Sequence, residues 1–241
     1  MSVIVVSHVK DGLVVASDTR TTVIDKNRNT MYKDGAVKIV PFPNRIVVAH
    51  CGDTVLSKML TVNEFLYRCR DRFGKGCRIF DLPTKLLSEF CKLNVSADVT
   101  FFVAGYFDVG IGCCVYKIKT MNKTIEMPWS DGRYGASFGG MTDIVYAMMK
   151  DADYDNMSLS GCENLIKTAV DSSILSFSYQ NPQSIGGHCD MYIISADGLR
   201  VGQVVDNGLY LDKAAPIDAY ETLMAVKVEK LVAQQSKMSR K

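Results

Sequence analysis

The chain has 241 residues, of which 47% are hydrophobic and 22% are charged, and its formal net charge at pH 7 is +2. This hydrophobic content is enough for one substantial core, and the small net charge gives no reason to expect nucleic acid or an anionic membrane as a partner. No apolar run approaches the roughly 20 residues of a membrane-spanning helix, and the N-terminus lacks a secretory signal pattern, so we expect a cytoplasmic protein.

The first fifty residues predict strands and no helix. Residues 2–9 and 13–17 are apolar and rich in β-branched residues, with a turn between them, which predicts a β-hairpin. The polar residues 24–35 predict a loop or an exposed ribbon. Two short strands are predicted at residues 37–40 and 45–49. Such an opening indicates an antiparallel sheet.

The periodicity then becomes helical. Apolar residues recur at helical spacing from residue 53 to residue 73, which predicts about five turns of helix. A second helix is predicted around residues 86–93, with Asp81 as its N-cap and Pro83 in its first turn.

Strands and helices alternate in blocks along the rest of the chain. The predicted strands are residues 99–106, 112–119, 124–128, 191–195 and 201–205. The predicted helices lie around residues 141–149, 160–174 and 219–235, and Ser160 with Glu163 has capping-box spacing. Helices in pairs between antiparallel blocks predict an α+β fold, packed as a four-layer αββα sandwich with two antiparallel sheets between helix pairs. We expect one domain over residues 1–241, with residues 215–241 as a C-terminal helical extension.

The eight cysteines and three histidines do not suggest a metal site or disulfides. The cysteines are scattered, and no C-x-x-C pair occurs. In a chain without an export signal, we interpret them as reduced core residues. The three histidines are far apart in sequence. We therefore expect no metal and no cofactor.

Cysteine nucleophiles remain an alternative. The chain contains no G-x-S-x-G motif, P-loop or G-x-G-x-x-G segment that opens a helix. Cys189 follows His188 and Cys51 follows His50, but adjacent strand residues point to opposite faces and cannot pair with each other. An unrelated α+β enzyme that uses Cys51 or Cys189 is kept as a competing hypothesis.

The start of the chain offers a different nucleophile. Removal of Met1 would leave Ser2 with a free α-amine, whose unperturbed pKa of about 7.7–8.0 suits it to accept the hydroxyl proton. A hairpin would bring Asp18, at the end of the second strand, near Ser2. Lys38 is the cation in the apolar segment AVKIV, where it is costly unless a carboxylate such as Asp18 pairs with it. Alternatively, Lys38 lies on an edge strand and extends into water.

Several ordered motifs resemble one known family. The segments GLVVASDTRTT, KIV, VAHCGDTVLSKML, GRYGASFGG and SIGGHCDMYIISADG resemble motifs of the proteasome β-subunit type of N-terminal nucleophile (Ntn) hydrolase, which includes bacterial proteasome-like homologues. The resemblance implies the Ntn hydrolase fold and threonine/serine-type hydrolysis of a peptide or amide. It also implies a homo-oligomer or ring assembly, and it allows an ATPase partner.

The resemblance also implies roles for individual residues. Ser2 would be the nucleophile and general base, Asp18 and Lys38 its charged partners, and Ser137 the serine near the terminal amine. The residues that would line the substrate channel are Thr22, Cys51 and Gly52.

One departure motivates a second function. Where the family has a supporting acid, this chain offers the uncharged Asn181 and Ser184. A non-catalytic structural β-type subunit of a proteasome-like ring is therefore the alternative.

Overall fold

The structure is a computed structural model. It describes residues 2–24, 30–106, 112–129, 132–180, 184–203, 205–206 and 209–210. The predicted extension at residues 215–241, the helix predicted within it and Asn181 lie outside the described residues.

The described residues contain four α-helices and sixteen strands. The helices are α1 (Val62–Phe73), α2 (Leu82–Lys92), α3 (Asp143–Met149) and α4 (Leu159–Gln180). The strands are β1 (Val3–Val9), β2 (Gly12–Asp18), β3 (Thr21–Ile24), β4 (Thr30–Lys33), β5 (Ile39–Phe42), β6 (Ile46–Gly52), β7 (Val55–Ser57), β8 (Leu60–Thr61), β9 (Val99–Tyr106), β10 (Cys113–Lys119), β11 (Thr124–Glu126), β12 (Gly135–Gly140), β13 (Cys189–Ser195), β14 (Gly198–Gln203), β15 (Val205–Asp206) and β16 (Leu209–Tyr210).

Two five-stranded antiparallel sheets form the centre of the molecule. Sheet I has the strand order β12-β1-β2-β13-β14, and sheet II has the order β11-β10-β9-β6-β5. Three two-stranded ribbons accompany them, formed by β3 with β4, β7 with β8, and β15 with β16. The predicted hairpin of β1 and β2 is confirmed, and it lies in the middle of sheet I.

Apolar side chains pack on both faces of these sheets. In β1, Ile4 and Val6 belong to a core between the two sheets, whereas Val3 and Val5 belong to a core beneath α3 and α4. A third core lies between sheet II and the helices α1 and α2. Because alternate residues of β1 enter two different cores, its first four residues, Val3–Val6, are a continuous apolar run rather than an alternating one.

The predicted fold class, a four-layer αββα sandwich with two sheets between helix pairs, is corrected. The strands are divided among five sheets rather than two. The helices are not matched pairs, because α3 has 7 residues and α4 has 22. The physical reason is that short segments beside the main sheets pair locally as ribbons. The polarity of residues 24–35 allowed a ribbon there, but the periodicities did not reveal the β7–β8 and β15–β16 ribbons.

The first helix begins later than its periodicity predicted. Thr61 caps α1 through a capping box with Glu64, and the residues before it form the β7–β8 ribbon. Two reciprocal hydrogen bonds at this cap define the start of the helix. Residues 53–60 are therefore not helical, although Val55 and Leu56 suit the helical pattern.

Three other predicted elements also differ. The Gly-rich segment GASFGG, where no strand is predicted, is the edge strand β12. Lys38 lies immediately before β5 and not within a strand. Before α4, the hydroxyl of Ser158 accepts a hydrogen bond from the Gly161 amide at 3.1 Å, so Ser158 takes the capping role predicted for Ser160.

Candidate functional site

Asp18 is the centre of a buried polar cluster where β1 starts and β2 ends. Its side chain is fully buried. Its Oδ1 accepts a hydrogen bond from the Val3 amide at 2.9 Å and another from Lys38 Nζ at 2.7 Å. Because Val3 follows Ser2 directly, the Lys38 ammonium and the Ser2 backbone are neighbours around one carboxylate oxygen.

The second oxygen of Asp18 faces the backbone of two loops. Asp18 Oδ2 lies 3.3 Å from the Arg20 amide and 3.3 Å from the Gly186 amide, both of which donate to it. Four N–H groups thus surround the carboxylate. Such a set of donors stabilises the charged form of a buried acid.

Lys38 reaches this carboxylate from the other sheet. It precedes β5 of sheet II, whereas Asp18 ends β2 of sheet I, and Lys38 is only 2% exposed. The ion pair therefore spans the space between the sheets. Burial lowers the pKa of Lys38, while the charge and hydrogen bond of Asp18 oppose that shift. The ammonium has three N–H donors, and the Asp18 oxygen takes one of them.

Ser2 is held at this cluster by its backbone. It is 6% exposed, and its carbonyl oxygen accepts a hydrogen bond from the Met141 amide at 2.8 Å. Gly140 has a φ of 83°, and a Cβ at that position would overlap the Ser2 carbonyl. The Gly140 backbone can therefore approach Ser2 as closely as it does only because it carries no side chain.

Ser137 is not brought to Ser2. In the β1–β12 register Ser137 pairs with Val6, whereas Gly140 pairs with Val3. At about 3.3 Å per residue, four positions along β1 correspond to about 13 Å. The register therefore separates Ser137 from the α-amine that Ser2 would carry after removal of Met1.

Cys51 and Gly52 lie at the end of β6 near the same cluster. Gly139 pairs with Ile4, and a Cβ at Gly139 would lie 2.8 Å from Cys51 Sγ. Cys51 therefore lies about two positions along β1 from Ser2. Gly52 is exposed, and its φ of 104° is one that glycine favours.

Thr22 and Ser184 have different surroundings. Thr22 is half-buried on β3, where it pairs with Tyr32 in the β3–β4 ribbon. Ser184 is fully buried in the segment that leads to Gly186. Whether these residues contact a substrate stays a prediction.

The two candidate cysteine nucleophiles are in unfavourable surroundings. Burial raises the pKa of the Cys51 thiol to about 11, against the opposing charges of Lys117 and Lys38. Burial also raises the pKa of the Cys189 thiol. Both thiols are therefore protonated at neutral pH, and a nucleophilic cysteine requires the thiolate.

Three polar residues that sequence reasoning missed adjoin Asp18. Thr19 Oγ1 accepts a hydrogen bond from the His188 amide at 3.0 Å and lies 3.3 Å from His188 Nδ1. His188 Nε2 lies 3.1 Å from Asp190 Oδ1. The sequence signal that could have identified them was the spacing of His188 and Asp190, because residues two apart share one face of a strand.

Arg20 has a local structural partner. Its guanidinium forms a two-pronged pair with Asp34, at 2.6 and 2.8 Å, and it lies 4.2 Å above the centre of the Tyr32 ring. A bidentate pair of this kind orients both side chains. Arg20 thus joins the end of β2 to the segment that leads to Lys38.

Two general features are absent from the part of the chain that the structure describes. No group of three or more His, Cys, Asp or Glu side chains is placed to hold a metal ion. No helix there combines the length and apolar character needed to cross a membrane.

Comparison with known proteins finds similarity in structure. No protein-family model matches the chain, and no curated protein matches its sequence. Among solved structures, Anbu from Hyphomicrobium sp. strain MC1 is 15% identical, with 98% of this chain and 97% of that chain covered and a TM-score of 0.64. The Anbu complex from Pseudomonas aeruginosa, described as a helical assembly, is 18% identical, with 96% of each chain covered and a TM-score of 0.64. Anbu from Yersinia bercovieri, described as an ancestral beta-subunit, is 16% identical, with 97% of this chain and 96% of that chain covered and a TM-score of 0.63.

These matches correct the resemblance drawn from the motifs. The assignment to the proteasome β-subunit type was wrong, because the three solved structures named above are Anbu proteins. At 15–18% identity they show the fold alone. The chain has an Anbu-like fold, which extends over nearly its whole length.

Proposed function

We propose that this protein is an N-terminal nucleophile hydrolase that cleaves peptide or other amide bonds with Ser2 after removal of Met1. One observation carries the proposal. A single buried oxygen of Asp18 accepts hydrogen bonds from both the Val3 amide and the Lys38 ammonium. This arrangement holds a positive charge beside the residue that would become the chain terminus.

The proposed mechanism uses the terminal residue twice. The α-amine of Ser2 takes the hydroxyl proton as Oγ attacks the carbonyl carbon, and the Lys38 ammonium stabilises the developing negative charge. Collapse of the tetrahedral intermediate breaks the C–N bond, and the α-ammonium gives its proton to the leaving amine. The product is an ester on Ser2. The free α-amine then activates a water molecule, which hydrolyses the ester and releases the acid.

The proposal also covers the domain organisation, the location and the assembly of the chain. We take the chain as one domain over residues 1–241, with residues 215–241 as a C-terminal extension, and place it in the cytoplasm. Because the Pseudomonas aeruginosa protein is described as a helical assembly, we propose that this chain also associates with copies of itself. No finding supports an ATPase partner, and the proposal does not include one.

Covalent labelling of Ser2 tests the proposal. An epoxyketone that reacts with both the hydroxyl and the α-amine of an N-terminal residue should add one mass equivalent to the chain that lacks Met1. Intact-mass spectrometry would show the removal of Met1 and the adduct together. The Ser2→Ala variant is the matched control and should remain unlabelled. A folded, assembled protein that retains Met1, or that lacks Met1 but is not labelled, would exclude the proposed mechanism.

A non-catalytic structural subunit is the second candidate. The register that places Ser137 opposite Val6 favours it, because a serine expected beside the terminal amine is absent from that place. In that case Ser2→Ala would leave assembly unchanged and no acylated intermediate would form. One trapped acyl group on Ser2 would refute this alternative.

A further inference from the structure

A second polar cluster lies beside Asp18 in sheet I. In β13, Met191 and Ile193 enter the core beneath the helices, whereas Tyr192 and Ile194 enter the core between the sheets. Alternation therefore directs Asp190 toward the space between the sheets. Asp190 is 8% exposed, so a carboxylate lies near the edge of an otherwise apolar layer.

The register of β13 places this carboxylate next to the candidate site. Asp190 pairs with Ser17, and Cys189 pairs with Asp18, in the antiparallel pairing of β2 with β13. Asp190 thus lies across the strand pair from Ser17, the residue before Asp18. The two acids belong to neighbouring strands and lie at the same end of sheet I.

His188 connects Asp190 to the residue after Asp18. His188 Nε2 lies 3.1 Å from Asp190 Oδ1, and the His188 amide donates to Thr19 Oγ1 at 3.0 Å. The Thr19 amide donates in turn to the Gly186 carbonyl at 3.2 Å. These contacts fasten the end of β2 to the loop whose Gly186 amide donates to Asp18 Oδ2.

The order hydroxyl, imidazole, carboxylate resembles a catalytic triad, but Thr19 is unsuited as a second nucleophile. It is 1% exposed, and its oxygen already accepts the His188 amide hydrogen bond. A substrate carbonyl would have no access to it. The cluster therefore acts through its neighbours rather than on a substrate directly.

We propose that Asp190 and His188 are positioning residues for the Asp18–Lys38 pair, with Asp190 as the second carboxylate that keeps Lys38 charged and His188 as the link that holds the Asp18 loop. This inference rests on the proposed function of Ser2.

The electrostatic surroundings of Lys38 agree with this role. The groups that act on Lys38 are Asp18 on β2, Cys51 on β6 and Asp190 on β13, and each of them raises its pKa against the effect of burial. Two further groups lie nearby: burial lowers the pKa of His50 on β6 and the Arg20 hydrogen bond lowers the pKa of Asp34 before β5, and the Lys38 charge contributes less to each shift. Removing the charge of Asp190 should therefore make Lys38 lose its proton at lower pH.

The experiment compares the pH dependence of Ser2 labelling in Asp190→Asn and in the wild type. Asparagine keeps the shape of the side chain but removes its charge. The alkaline limb of the labelling rate should move to lower pH, because one of the charges that raise the pKa of Lys38 against burial is lost. Asp11→Asn is the matched control, because it makes the same charge change in the exposed turn at the opposite end of the β1–β2 hairpin. Its profile should equal that of the wild type.

His188→Gln tests the side-chain part of the link separately, which joins Thr19 Oγ1 to Nδ1 at 3.3 Å and Asp190 Oδ1 to Nε2 at 3.1 Å. His188 is partly exposed, so its replacement leaves less buried space than a change at Asp190. We expect a roughly tenfold to hundredfold slower maximal labelling rate at an unchanged inhibition constant, because a displaced Asp18 misplaces Lys38. If His188 had a purely structural role, the variant would have a lower melting temperature, but its maximal labelling rate would not fall at an unchanged inhibition constant. If Asp190→Asn does not fold, His188→Gln becomes the deciding variant. A maximal labelling rate of His188→Gln equal to that of the wild type would then overturn the inference.

A titration of Lys38 separates the two proposals. The ¹⁵N NMR signal of the Lys38 ammonium, identified by its absence in Lys38→Met, can be followed against pH without any reaction at Ser2. If the wild type is not labelled, the proposed function fails. A downward shift of the Lys38 midpoint in Asp190→Asn would still support the electrostatic link, and equal midpoints would overturn it.

Discussion

At the scale of the residue, one carboxylate organises the candidate site. Asp18 accepts from the Val3, Arg20 and Gly186 amides and from Lys38 Nζ. A lysine buried to 2% exposure is costly when it lacks a partner. Each member of the pair therefore requires the other, because either charge alone would be buried between the two sheets without a counter-charge.

Removal of one member of this pair should destabilise the fold strongly. Lys38→Met leaves the Asp18 charge buried without its ammonium, and we expect a loss of about 3–5 kcal/mol in the free energy of unfolding. The double variant Asp18→Asn with Lys38→Met should recover much of that loss. Urea unfolding of the two single variants and the double variant measures the coupling. A Lys38→Met midpoint equal to that of the wild type would show that the pair is unimportant for stability.

At the scale of the element, the ends of four strands position the residues of the candidate site. β1 begins beside Ser2, β2 ends at Asp18, β5 begins just after Lys38, and β12 ends at Gly140. Each of these strands is anchored by apolar side chains, so its end is placed by the packing of the whole strand. Short segments beyond these strand ends are therefore enough to bring the polar groups of the site into contact.

The end of β12 offers a test of this arrangement. Gly140→Ala should destabilise the fold by about 2 kcal/mol or more, because it combines a φ of 83° with an overlap between Cβ and the Ser2 carbonyl. Gly35→Ala is a matched control, since Gly35 has a φ of 82° and open space around its Cβ direction. Thermal unfolding should therefore show a smaller loss for Gly35→Ala. Equal losses would mean that the contact with Ser2 adds nothing.

At the scale of the whole molecule, stability depends on three apolar cores that also bury polar groups. His50, on β6, is 3% exposed, and its Nε2 lies 2.9 Å from Asn63 Oδ1 on α1. Asn63 Nδ2 donates to the Val37 carbonyl, which identifies Oδ1 as the acceptor. The His50 ring therefore donates from Nε2 and joins sheet II to its covering helix in the neutral form.

Acid should weaken the whole molecule through this histidine. Burial lowers the pKa of His50 to about 4 from an ordinary 6.5. Between these values the unfolded chain binds a proton that the folded chain does not, so stability falls as pH falls. The total loss should be about 3 kcal/mol by pH 4. His50→Gln keeps a donor for Asn63 and removes the titration. Its free energy of unfolding should decline less than that of the wild type below pH 6.5, and parallel curves would contradict this origin.

The sequence by itself determined the β1–β2 hairpin and most strand positions, and it offered the pairing of Asp18 with Lys38 as one of two alternatives. Alternation, turn residues and the cost of a buried cation are local or pairwise properties, and they can be recognised from the residues alone. The meeting of the Ser2 end of β1 with Asp18 followed from the hairpin for the same reason.

The tertiary structure alone decided the features that depend on register between distant strands. Pairing of β12 with β1 put Ser137 opposite Val6, and pairing of β13 with β2 put Asp190 opposite Ser17, the residue before Asp18. The hydrogen bonds of Thr61 and Glu64, not apolar periodicity, located the start of α1. A shift of one residue in any register reverses the face of every side chain, and the residues of one strand do not specify the offset of its partner.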